Sequence, residues 1–139
     1  MQHKSLIDAL SHVVGDRGVL TEQDDLVSYS HDWRHMFHGR PLCAVLPRNT
    51  QEVADIVRLC VSAGVAVVPF GGNTGLSGGA TPDQSGQQVV LSLTRMSAIR
   101  DIDVMGETIE VEAGCILQTA QEAVDEKGLL LPITLAAEG

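Results

Sequence analysis

The sequence predicts an α+β protein: a βαβ unit with a small parallel sheet flanked by helices, followed by the start of a second α+β subdomain. Three features point to it. Two apolar runs bounded by prolines or glycine, residues 42–47 and 65–70, are too short for helices and enclose one strongly amphipathic segment. A third apolar run, VVLSL at 89–93, is placed to extend the same sheet. Strict apolar-polar alternation then appears at 108–113, the pattern of a strand with one buried and one wet face.

In chain order, residues 5–14 place Leu6, Ala9, Leu10, Val13 and Val14 on one helical face, with Gly15 as the stop. A second short helix is expected over 21–30 around Leu26 and Tyr29, and 31–40 reads as an irregular connector. Residues 1–40 are therefore taken as an N-terminal helical segment. Asn49 is the expected cap of the next helix. Glu52 completes a capping box, Val53, Ile56, Val57 and Cys60 form the apolar stripe, and Gly64 ends it. Strand, helix and strand over 42–70 make a right-handed crossover joining a parallel pair. A hairpin is expected over 99–113 about Met105, Gly106 and Glu107, with Glu110 and Glu112 on the wet face. A helix over 117–127 carries Leu117, Ala120 and Val124 on one side and stops at Gly128. Residues 129–137 contain no charge, so something is expected to bury them, and they offer a surface for self-association.

Charge and composition exclude several classes. The 139 residues carry nine Lys and Arg against 18 Asp and Glu, a net charge of −9, which leaves no basic stripe for nucleic acid. Residues 1–70 are near balance at −2, whereas 71–139 carry −7. The longest uncharged stretch, 59–82, holds Pro69 and five glycines between Gly71 and Gly79, so no transmembrane helix is expected. The N-terminus lacks the long apolar core of a signal peptide, and a cytoplasmic location is the expectation. Cys43, Cys60 and Cys115 are odd in number and set in apolar runs, and read as reduced thiols.

The segment that carries chemistry is PFGGNTGLSGGATP, residues 69–82, which leaves a strand end without a charged side chain. Its glycines permit positive φ and bring several backbone N–H groups toward one point, the geometry of an anion nest for phosphate or pyrophosphate. Neither a P-loop nor a G-x-G-x-x-G fingerprint is present. Glycine richness alone fits a surface loop equally well, and Asn73 and Thr74 tip the reading toward a ligand. His31, His35 and His38 have the spacing of a three-imidazole site only on a helix, so no metal is expected there. Asp32 is placed to orient one of them, and Trp33 is expected to pack the connector against the sheet. The acidic pairs Asp24/Asp25 and Glu110/Glu112 are expected to face solvent, and no nucleophile elbow is found.

The loop resembles the pyrophosphate-binding loop of FAD-linked oxidoreductases of the vanillyl-alcohol oxidase and p-cresol methylhydroxylase type, with a PCMH-type FAD-binding domain. It is most similar to the branch of D-lactate, D-2-hydroxyglutarate and glycolate dehydrogenases. PRNTQEVADIVRLCVSAGVAVVPFGGNTGLSGGA and IEVEAGCILQTAQEAVDEKGLLLPI extend the likeness over most of 41–139. The resemblance implies that 41–139 is the N-terminal part of such a domain. Amides of Gly71, Gly72, Asn73, Thr74, Gly75 and Leu76 would then hold the FAD pyrophosphate, with Pro69 and Gly78 shaping the loop. Asn73 stands where some relatives carry a flavin-linked His, which implies non-covalent FAD. Residues from Pro132 to Gly139 resemble the approach to a second flavin contact. The implied activity is oxidation of a small D-2-hydroxy acid, with catalytic residues unassigned and the chain read as truncated and inactive alone. The other reading is a stand-alone nucleotide- or phosphate-binding module without redox activity.

Overall fold

The structure, a computed structural model, describes residues 2–135, and it falls into two compact units, residues 1–95 and 96–139. Residues 1–40 contribute elements to the first. Helix α1 (Gln2–Val14) leads through a 3₁₀ turn into a two-residue strand β1 (Val19–Leu20), and a single helical turn α2 (Gln23–Leu26) follows. After the irregular connector come β2 (Cys43–Val45), α3 (Thr50–Ser62), β3 (Val67–Phe70) and β4 (Val89–Ser92).

The cap of α3 forms as its sequence requires. The Asn49 side chain accepts the Glu52 amide at 2.9 Å, and the Glu52 carboxylate reaches back to the Arg48 amide at 2.7 Å. Gly64, at φ +68°, ends the helix, and the Val65 amide then bonds the Cys60 carbonyl at 2.9 Å.

Strand order is β1-β2-β4-β3. This corrects the expected pairing: β2 and β3 run parallel but are not neighbours, because β4 lies between them and pairs with both. All four residues of β4 are buried, which fits the central position of a parallel sheet covered on both faces. The antiparallel edge strand β1, on Val19 and Leu20, was not expected. Alternation sorts the core into two layers. Cys43, Val45, Val89 and Leu91 face Leu6, Leu10 and Val14 of α1 and Ile56 and Cys60 of α3. Ala44, Val90 and Phe70 face Leu26, with the Tyr29 ring 4.9 Å from that of Phe70. Burial pushes the Cys43 thiol up to about 12, with Cys60 adding to the shift, and raises Cys60 as well.

The second unit holds the hairpin β5 (Ile99–Asp103) and β6 (Thr108–Val111) and helix α4 (Leu117–Asp125). Asp103 accepts the Met105 and Gly106 amides at 3.0 and 2.9 Å, which shapes the turn. The expected wet face is wrong at one end. Val111 is exposed, whereas the Glu112 carboxylate folds inward to accept the Ala98 amide at 3.0 Å and an Arg100 N–H at 3.2 Å. A register irregularity between Ile99 and Asp101 breaks the alternation there. The Ala98 amide first, then Arg100, holds Glu112 below the usual carboxylate range against the opposing effect of burial. Leu130, Ile133 and Leu135 are exposed in a segment outside any helix or strand, contrary to the burial expected of 129–137, and residues 136 and 137 lie outside the described range.

Candidate functional site

The glycine-rich loop starts at the carboxyl end of β3, where Pro69 still pairs in register with Leu91 and Phe70 with Ser92. In open α/β sheets this is the end where ligands bind. From Gly71 to Ser77 every residue but Asn73 is exposed, and Asn73 is half-buried.

The loop is conformationally different from the expectation. Among its glycines only Gly78 has a positive φ, +74°, and the other left-handed residue is Asn73 at +54°. Gly71, Gly72, Gly75 and Gly79 serve another purpose, which is space. A Cβ added at Gly71, Gly75 or Gly79 would meet nothing within 4 Å, and at Gly72 it would reach only the Thr74 methyl at 3.7 Å. No backbone N–H from Gly71 through Ala80 donates to a backbone carbonyl among the described residues. A run of accessible amides beside positions that lack side chains is a fitting cradle for a phosphate-bearing group, because oxygen atoms can approach the backbone closely.

Three anchors fix this open segment, and all come from the connector. The Asn73 side-chain amide donates to the His31 carbonyl at 2.9 Å, and an Arg34 guanidinium N–H donates to the Leu76 carbonyl at 2.7 Å. The Phe37 ring lies where a Gly78 Cβ would stand, 2.9 Å from its nearest carbons, so both the contact and the φ require glycine. The Thr81 amide then closes a turn onto the Gly78 carbonyl at 3.1 Å.

The connector is itself ordered by Asp32, which is 1% exposed. Its carboxylate accepts the Met36 and Phe37 amides at 2.7 Å each and the Arg34 amide at 3.3 Å. These bonds, the Phe37 amide foremost, hold Asp32 below the usual carboxylate range although burial opposes them. Asp32 therefore organises backbone rather than orienting a histidine. Trp33 is 69% exposed and does not pack the connector down. The rings of His31, His35 and His38 gather, with centroids 4.1, 6.4 and 6.5 Å apart, yet no three ligating groups are arranged for a metal ion among the described residues. Arg34 and Phe37 are site-building residues that sequence reasoning missed, and Asp32 is one to which it gave a different role. The signal for Asp32 was its place at the start of a turn, where a short carboxylate can accept the amides that follow.

Of the remaining expected site residues, Thr74 is exposed in the loop and Leu76 presents its carbonyl to Arg34. Pro132 is exposed in the second unit, and Gly139 lies outside the described residues.

With this geometry in hand, comparison with known proteins places the chain. Residues 41–138 match the FAD binding domain family, and the chain belongs to it. It is 35% identical over 133 residues to the mitochondrial D-2-hydroxyglutarate dehydrogenase of Arabidopsis thaliana, covering 96% of this chain and 23% of that protein. It is 40% identical over 119 residues to the D-2-hydroxyglutarate dehydrogenase of Xanthomonas citri pv. viticola, covering 86% of this chain and 25% of that one. Among solved structures, p-cresol methylhydroxylase with substrate bound superimposes with a TM-score of 0.76 at 26% identity, over 96% of this chain and 26% of the other. The resemblance read from the sequence is thereby borne out, as are the α+β fold of the PCMH type and FAD as the cofactor of the family. The chain spans about a quarter of the length of the curated relatives it matches.

Proposed function

We propose that this chain holds the ADP half of FAD, without a covalent link, on the loop from Pro69 to Gly78, as part of a flavin-dependent dehydrogenase of a small D-2-hydroxy acid such as D-2-hydroxyglutarate, D-lactate or glycolate. The observation that carries the reading is the run of amides from Gly71 through Ala80 that no backbone carbonyl among the described residues occupies, beside glycines whose missing side chains leave open space. Each amide donated to a charged oxygen contributes about 1.5–3 kcal/mol. A few such bonds offset the repulsion of a chain at −9, which salt screens beyond about 10 Å.

In this reading Gly71, Gly72, Asn73, Thr74, Gly75 and Leu76 donate to the pyrophosphate, while Pro69 and Gly78 set the direction of the loop. Asn73 supports the non-covalent assignment: its side chain has no nucleophilic nitrogen and is spent on the His31 carbonyl. When bound, the flavin supplies the capacity to accept a hydride. The residues described here bind and orient it, and no catalytic residue is assigned among them. Pro132 and Gly139 are retained as the approach to a second flavin contact. Exposed Leu130, Ile133 and Leu135 support self-association of the isolated chain, which sedimentation with and without residues 129–139 would read.

The test is a titration of FAD with the purified chain, followed by quenching of flavin fluorescence, with FMN as control. Saturable binding of FAD well above that of FMN supports the reading, because only FAD carries the ADP half. Equal binding of both would assign the contact to the isoalloxazine and overturn it.

A further inference from the structure

The first unit contains an open cleft of about 760 Å³ that the glycine loop does not line. Its walls come from the chain entering β2, from the loop that precedes β4 and from the helical turn at Leu26. Leu26 and Leu42 give it an apolar side, and His31, His38, Arg40 and Gln84 give it a polar one. No Asp or Glu is among the described residues lining it, in a chain where acids outnumber Lys and Arg by 18 to nine.

The polar side is built rather than incidental. Arg40 lies across Gly86, where an added Cβ would stand 3.3 Å from its Nε, and Gly86 holds φ +70°. The Arg40 backbone amide is tied to the Asp83 carbonyl at 2.7 Å, and Gly39 sits so close to the Pro82 carbonyl that no side chain fits there. Its guanidinium pairs with no carboxylate among the described residues. Gln84 is steadied by its bond to the His38 carbonyl. Neither nearby acid competes: Asp83 accepts from Ser85 and Gln88, and Asp32 accepts from backbone amides. An unpaired guanidinium beside an apolar wall is complementary to an oxyanion on a short hydrocarbon body.

We infer that this cleft binds a small organic anion, a carboxylate or a phosphate monoester, with Arg40 as its principal anchor and His31 and His38 beside it. This inference does not rest on the glycine loop as a cofactor site.

The test is an amide-resolved NMR titration of the full chain with butyrate, phenyl phosphate and inorganic phosphate in separate arms. Saturable shifts of the amides of His31, His38, Gly39 and Arg40 are expected, with the carboxylate and phosphate arms deciding between the two head groups. The organic anions should bind more tightly than inorganic phosphate, because only they use the apolar wall. Arg40→Gln should weaken binding by about tenfold or more, the scale of a lost ionic hydrogen bond, and Arg40→Lys should retain part of it. Should Arg40→Gln fail to give a folded spectrum, His38→Gln, at an exposed position, takes its place with a smaller loss expected. Shifts confined to residues 71–78, absence of saturation with all three anions, or unchanged affinity in the folded variants would overturn the inference.

Discussion

Gly75 separates folding from ligand binding, and a pair of substitutions there has calculable effects. A Cβ at this position meets nothing within 4 Å, and its φ is not positive, so Gly75→Ala introduces neither clash nor backbone strain. Its effect on folding comes through the unfolded chain, where the lost freedom of glycine should raise stability by about 0.4–1 kcal/mol. That corresponds to a rise in Tm of about 1–4 °C for a chain of this size. The same methyl occupies space assigned to FAD, so affinity should fall while stability does not. Gly75→Asp adds a carboxylate beside the pyrophosphate. At about 4 Å the repulsion per unit charge is about 1 kcal/mol in water and about 4 at an effective dielectric near 20. The expected loss is thus about 5- to 700-fold in Kd, shrinking at about 1 M salt, where charges are screened beyond about 3 Å. Thermal unfolding and FAD titration of both variants are the assays. Wild-type FAD affinity in both would remove Gly75 from the site, and a loss of stability in Gly75→Ala would show that the space is not open.

Other consequences can be measured independently. Gly78→Ala forces a Cβ against the Phe37 ring and a left-handed φ on alanine, the latter costing about 1–2 kcal/mol. In a Phe37→Ala background the cost should fall toward that backbone contribution alone, and an undiminished cost would contradict the contact. Asp32, Asp83 and Glu112 all have depressed folded pKa values, so the stability they contribute is present above the ordinary carboxylate pKa and lost as pH falls through the depressed ones. Urea midpoints measured from neutral pH to about pH 3 should fall, and Asp32→Asn should flatten part of that fall; an identical slope in the variant would refute the role of Asp32. Cys43, buried and pushed up to about 12, and buried Cys60 should resist a thiol reagent in the folded chain, whereas half-buried Cys115 reacts first. Equal rates at all three would mean that the core opens on the timescale of the assay.

Local signals carried much of this structure into the sequence. The α3 cap, the strand runs at 43–45, 67–70 and 89–92, the turn after Asp103 and the position of the glycine loop were all legible, because each depends on residues within a few positions of one another. Strand order was not. An apolar run states that a strand is buried but not beside which neighbour, and β4 between β2 and β3 is set by two crossovers rather than by any residue pattern. The two-residue edge strand at Val19 was too short to show a period. The buttress of the candidate site was hidden for a similar reason: Asn73 and Arg34 find their partners 42 residues away, so the connector reads as loop until the contacts are seen. Glu112 was misplaced because its partner, the Ala98 amide, lies 14 residues away and Glu112 itself lies just past the end of β6.

The central claim is that the accessible amides of the glycine loop hold the diphosphate of FAD, and the most direct measurement is the amide spectrum of the chain during FAD titration, repeated with ADP. Saturable shifts at Gly71, Gly72, Asn73, Thr74, Gly75 and Leu76 that ADP reproduces, together with displacement of FAD by ADP, are the predicted result. Shifts that leave these six amides unmoved, or FAD binding that ADP does not displace, would contradict it.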